Sequence, residues 1–281
     1  MKIMTISRII DVEEYLQKKY SSMDECVLDE IELHRKNAIQ ELNEKQANYC
    51  WCLKNIYNVQ KTFISAFCAM KSGEYERGWR DLDSTDILLS GLIQNMEIDV
   101  DNDKYGLLFI SNIIKEYQKL YPYRWFLSRE SVIKSERCSI CGQLVSIRNP
   151  CGHKLGKLYM GEQCLYEVLD FEFKGISLVR EPFDKYTYIK VEGKEYNYEM
   201  IEVLMSMLSN PYDKFWVETV EIKKTKYENI QRNEKCPCGS GKKYKKCHYG
   251  TNDEKMEHKI IHIEKYINVD GRIRYTSIWK E

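Results

Sequence analysis

Four metal-ligating residues within a short polar stretch constrain this chain more than any other feature. Residues 233–248 read Asn-Glu-Lys-Cys-Pro-Cys-Gly-Ser-Gly-Lys-Lys-Tyr-Lys-Lys-Cys-His. Cys236 and Cys238 are one residue apart, and Cys247 and His248 are adjacent. Three thiols and an imidazole make a complete tetrahedral set for Zn²⁺. Pro237 stiffens the first pair, and Gly239 and Gly241 can take the positive φ of a chain wrapped tightly around an ion. The stretch has too little apolar surface to hold that shape by itself. Metal binding has to supply its folding free energy.

The four ligand positions, Pro237, the Gly239-Ser240-Gly241 turn and the basic run from Lys242 to Lys246 resemble the SEC-C motif, named for the C-terminal zinc tail of the SecA translocation ATPase. The resemblance covers only residues 232–250 and identifies a module. It implies bound zinc and a docking role, because the similar tail of SecA contacts a chaperone and the ribosome. Lys242, Lys243, Tyr244, Lys245 and Lys246 are the corresponding partner-binding candidates. The ATPase motor has no counterpart here, so translocation does not carry over.

A chain of 281 residues with 43% hydrophobic residues can bury a sizeable core and hold more than one domain. Basic and acidic residues balance at 43 each, so net charge gives no argument for nucleic acid. The distribution is uneven. Residues 223–248 carry nine Lys/Arg against two Glu, whereas residues 81–103 carry seven acids and no Lys or Arg. The N-terminus meets charge too early for a signal peptide, and no apolar run approaches a membrane span. These features predict a cytoplasmic protein, in which the eleven cysteines are thiols and metal ligands.

The expected fold class is α+β. Apolar residues recur at helical spacing over 11–121, with further helix starts expected after Gly73 and at Asp83-Ser84-Thr85, and Pro122 closing the region. Residues 123–222 read as a small α+β domain, with β-rich runs at 176–179 and 186–191, a helix at 198–208 and a strand at 215–222. Residues 223–232 read as a linker, 233–250 as the zinc module, and 257–281 as a C-terminal β-hairpin turning at Asp270-Gly271. His258 and His262 share one face of its first strand, expected to be solvated.

A second metal site is expected at the entry to the middle domain. Cys138 and Cys141 have the Cys-x2-Cys spacing of a zinc knuckle, with Gly142 just after it. Cys164 is the third candidate, placed at the start of a helix that continues through Leu165, Val168 and Leu169, as in a treble-clef finger. Cys151 and His153 compete for the fourth place. Two other features read as structural. Cys50 and Cys52 point to different faces of a helix, which leaves them as buried thiols with Cys26 and Cys68. The acidic loop 99–103 has Lys104 where a calcium loop needs Gly and Ile110 where it needs Glu.

No phosphate loop, nucleophile elbow or dinucleotide fingerprint is present in the sequence. The leading expectation is a zinc-binding adaptor that docks to an acidic protein surface or a ribosome-like target. RNA binding, with Tyr244 free to stack on a base, is the first alternative. An enzyme with its site in the helical half is the second.

Overall fold

A computed structural model describes residues 8–99, 101–146 and 148–264, and the backbone of 272–273. The class is α+β, in two compact units that meet in sequence between Tyr212 and Asp213.

The first unit begins with five helices: α1 (Ile9–Leu16), α2 (Glu25–Gln40), α3 (Glu44–Lys71), α4 (Tyr75–Ile93) and α5 (Leu107–Leu120). Side-chain caps fix several starts. Asp24 accepts the Cys26 N–H at 3.0 Å at α2, and Asn43 accepts the Gln46 N–H at 3.1 Å at α3. α3 is the axis of the unit. It packs against α1, α2, α4 and α5, so Leu53, Ile56, Val59, Phe63 and Ala66 are all buried. The helix start expected at 83–85 is not a break. α4 runs straight through, with the Thr85 hydroxyl turned back to donate to the Asp81 carbonyl at 2.7 Å.

Cys50 and Cys52 are buried in α3, whereas Cys26 and Cys68, expected to be buried with them, are exposed on their helices; burial pushes the Cys52 thiol up to about 11. In the acidic loop, Asp103 is a helix cap. Its carboxylate accepts the N–H groups of Leu108 at 3.1 Å and Phe109 at 2.9 Å.

The same unit continues as a long ribbon. β1 (Phe126–Cys138) pairs antiparallel with β5 (Tyr166–Val179), and the short β2 (Leu144–Val145) joins the other edge of β1. Between them β3 (Leu158–Tyr159) and β4 (Glu162–Gln163) form a tight hairpin. The helix expected at Cys164 is therefore absent. Val168 and Leu169 lie on a strand, and β5 runs opposite β1 from Tyr166 at Cys138 to Val179 at Phe126, with three register shifts on the way. The strand expected over 186–191 is also replaced, by a 3-10 turn at Lys185–Thr187 and a single bridge between Phe126 and Tyr188. Packing explains it. Tyr188 stacks on Tyr123 at 4.0 Å between ring centroids, inside a cluster with Trp79, Tyr121, Tyr196 and Tyr198. The aromatic residues serve the core, not a ladder. α6 (Glu199–Met207) then packs against α3 and α5.

In the second unit, β6 (Phe215–Lys223) pairs antiparallel with β7 (Lys255–Ile263) in unbroken register, from Phe215 opposite Ile263 to Lys223 opposite Lys255. β8 (Arg272–Ile273) pairs with β7 at Ile260 and Lys259. The Asp270-Gly271 turn expected between these strands lies outside the described residues. His258 is buried, contrary to the solvated face expected for it, while His262 stacks on Trp216 and approaches Glu218 at 2.9 Å. The segment read as a linker is ordered. It holds α7 (Thr225–Glu228) and the buried Tyr227. The cysteine-rich stretch is thus a loop carried between two paired strands.

Among the described residues, no helix is long and apolar enough to cross a membrane.

Candidate metal centres

The centre in the second unit is built by a short, tightly hydrogen-bonded loop. The Cys236 N–H donates to the Lys242 carbonyl at 2.8 Å, and the Gly239 N–H to the Cys236 carbonyl at 3.3 Å. The turn between them needs left-handed backbone, which Gly239 at φ 81° and Gly241 at φ 71° supply. A 3-10 turn over Tyr244–Lys246 then delivers Cys247 and His248.

The donor atoms of Cys236, Cys238, Cys247 and His248 lie within 4.8 Å of one another. Cys238 Sγ is 3.5 Å from Cys247 Sγ, and His248 Nδ1 is 3.3 Å from Cys236 Sγ and 3.2 Å from Cys247 Sγ. Two Zn–S bonds of about 2.3 Å at a tetrahedral angle place the sulfurs about 3.8 Å apart, so the spacing fits zinc. The set can fill all four positions from protein.

Three neighbours not assigned from sequence shape this centre. The Ser240 hydroxyl lies 3.1 Å from Cys238 Sγ and 3.2 Å from Cys247 Sγ. That hydroxyl, with the Ser240 backbone N–H, holds the Cys238 thiol down to about 6, which favours the ligating thiolate. Tyr227 packs over the His248 ring at 5.4 Å and fixes its orientation. Glu254 clamps the loop to the sheet. Its buried carboxylate meets Lys223 Nζ at 2.7 Å and accepts from the Tyr244 hydroxyl and the Gly250 N–H. Lys223 first, then Tyr244, hold that carboxyl down to about 2.

Tyr244 is therefore unavailable for stacking on a base. It is 0% exposed, stacked on Tyr227 at 5.6 Å and bonded to Glu254. Within the Lys242–Lys246 run it is the anchor, while Lys242, Lys243, Lys245 and Lys246 stay exposed. A signal for this was present in the sequence, since the one aromatic residue in a run of lysines is the one that can be buried.

The centre in the first unit gathers five donors. The atoms of Cys138, Cys141, Cys151 and His153 lie within 4.8 Å of one another, and Cys164 Sγ lies 3.7 Å from Cys138 Sγ, at the tetrahedral spacing. Cys138 ends β1, and the knuckle turns through Gly142 at φ 74°, whose N–H donates to the Cys138 carbonyl at 2.9 Å. Burial opposes the Cys138 thiolate. The N–H groups of Cys141 and Ile140 and the thiols of Cys164 and Cys151 outweigh it, and the thiol sits at about 6. His153 Nδ1 is buried with no hydrogen-bond partner, an orphaned donor atom that a metal would satisfy. Thiolate-rich sets of this kind suit zinc.

This centre is fastened to the helices by the β3–β4 hairpin. Asn48 on α3 accepts the Gly161 N–H at 2.7 Å, and Arg35 on α2 donates to the Gly161 carbonyl at 3.2 Å. Asn95 donates to the Gly156 carbonyl at 2.7 Å. A Cβ at Gly161 would stand 3.1 Å from the Ala47 carbonyl oxygen on a backbone at φ 77°, so the close approach and the left-handed backbone together favour glycine.

Among the described residues, two cysteine-histidine clusters could hold zinc. Residues 232–250, which contain the second cluster, match the family model of the SEC-C motif, a zinc-binding motif. No curated protein and no solved structure matches the chain.

Proposed function

We propose that the protein is a cytoplasmic adaptor whose SEC-C module docks onto an acidic protein surface, with ribosome-like targets included. One observation carries this reading. Four lysines project from a loop that can be fixed by four metal ligands, by Tyr244 and by the Glu254 clamp, so their charges are held in place before a partner arrives. Preorganised charge binds with less entropy loss than a flexible basic tail. Both clusters present free thiols, which suit a reducing compartment.

The test is co-sedimentation with ribosomes and affinity capture from lysate, using wild type, the Lys242→Glu/Lys243→Glu/Lys245→Glu/Lys246→Glu variant and Cys236→Ser/Cys247→Ser. The wild type should retain a partner that both variants lose, although the lysine variant keeps its zinc. Capture that survives reversal of all four charges refutes the docking surface. Binding to naked RNA that falls steeply with salt would replace this reading with the nucleic-acid one.

A further inference from the structure

The β1–β5 ribbon is amphipathic in a way that the fold around it leaves unanswered. From Phe126 to Ile133 β1 pairs residue by residue with β5, which carries one bulge at Lys174 between the Glu130 and Ser131 rungs, and cross-strand partners share a face on either side of it. One face carries Leu127 opposite Leu178, Arg129 opposite Ile176, Ser131 opposite Phe173 and Ile133 opposite Phe171. The other carries Phe126 opposite Val179, where Phe126 is buried on Trp79, and then Ser128 opposite Ser177, Glu130 opposite Gly175 and Val132 opposite Glu172. Beyond the Phe126 rung this second face is finished as a solvent face. Ser177 bonds Glu130, and Lys134 pairs with Glu172 at 3.5 Å.

The apolar face is not finished. Its six large side chains, Leu127, Ile133, Phe171, Phe173, Ile176 and Leu178, are 41 to 59% exposed. A two-stranded ribbon is marginal by itself, and an alternating pattern of this kind is what a strand shows when one face is buried. Six such side chains in a single contiguous row exceed the scattered exposure that needs no explanation.

We propose that this face is a homodimer interface, in which the ribbons of two copies pack face to face across a two-fold axis. Three properties favour a second copy as occupant. The first is charge. Over four rungs the face holds one charged residue, Arg129, whose long stem can carry its guanidinium to the rim, so the surface offers nothing to a strongly charged partner. The second is area. Covering the six side chains in two copies removes roughly 1,200 Å² from water, the lower bound of a standard stable interface. The third is shape. A two-fold axis through the row sets the Leu127/Leu178 end of one ribbon on the Ile133/Phe171 end of the other. Four twisted strands then form a small sandwich with the usual aligned packing of two sheets.

Sedimentation velocity on the full zinc-loaded chain, from low to high micromolar concentration, tests this. The wild type should shift to twice the monomer mass at the upper end. Phe171→Glu/Phe173→Glu should stay monomeric throughout, with zinc content and far-ultraviolet circular dichroism unchanged to show that the ribbon still folds. Glu172→Lys, on the opposite face, should dimerise like the wild type. A monomeric wild type at the highest concentration overturns the proposal. So does a dimer that the paired phenylalanine substitution leaves intact, or one that Glu172→Lys abolishes.

Discussion

Asp83 is the residue whose chemistry least matches its surroundings. It lies on α4, is 3% exposed, and its Oδ2 has no hydrogen-bond partner. Burial raises the carboxyl to about 6; Lys185 opposes the shift, and Asp184 and Asp86 add to it. Lys185 is occupied elsewhere, donating to Asp86 at 2.9 Å and to the Gln118 side-chain oxygen at 3.2 Å. The folded pKa thus lies above the unfolded one, so the folded state binds the proton more tightly. Stability must fall as pH rises from the unfolded value through about 6, and the loss persists above it. Asp83→Asn removes that loss. Urea unfolding of the helical unit should show the variant more stable by on the order of 2 kcal/mol at about pH 8, with the gain shrinking at about pH 5. A gain of equal size at both pH values would mean that charge burial is not the cause.

At the scale of elements, close approach decides effects that propensity alone would get wrong. Gly78 sits inside α4, where Ala would ordinarily be the better residue by about 1 kcal/mol. A Cβ there would stand 2.5 Å from Met70 Cγ on α3 and 2.9 Å from the Tyr121 hydroxyl, which donates to the Tyr75 carbonyl. Overpacking of this kind costs about 1–3 kcal/mol. Gly78→Ala should therefore lower the unfolding midpoint despite its helix propensity, and a raised midpoint would show that the α3–α4 crossing yields easily. The same competition explains what the sequence could and could not disclose. The helices were legible because their periodicity is local, and both clusters were legible because zinc dictates residue type and spacing. The start of β5 reads as a helix in sequence because Leu165, Val168 and Leu169 satisfy helical spacing as well. Only the pairing of this segment with β1, as of Val168 with Glu136 some thirty residues away, settles the choice. Tyr188 reads as strand because its packing depends on Tyr123 and Tyr196, which are not its neighbours in sequence. Glu254 was silent because nothing near it in sequence shows that it closes the loop beginning at Lys224, whose N–H donates to the Glu254 carbonyl at 2.9 Å.

For the whole molecule, each unit carries its own cluster, and neither cluster draws a ligand from the other unit. The two clusters differ in what they hold together. In the second unit, among the described residues, the loop packs around Tyr227, Cys236 and Tyr244 with Ile230 and Cys247 at their margin, so bound metal would supply most of its folding energy. In the first unit the ligands end a ribbon and a hairpin that are already fastened to α2 and α3 through Arg35 and Asn48. Purified chain should contain two zinc ions, one per cluster. Cys236→Ser should remove one, and hydrogen exchange should rise across 232–250 while α2 to α5 keep wild-type protection. Cys138→Ser should remove the other and raise exchange around β3 and β4, leaving the Tyr244–Glu254 clamp protected. Apparent free energies for structural zinc run at about 10 kcal/mol or more, so the loss should be complete in the second-unit loop, whereas the hairpin held by Arg35 and Asn48 should lose only part of its protection. If either substitution instead melts both units in one transition, the two clusters do not act as separate folding devices, and the division of the chain at Tyr212 has no energetic meaning.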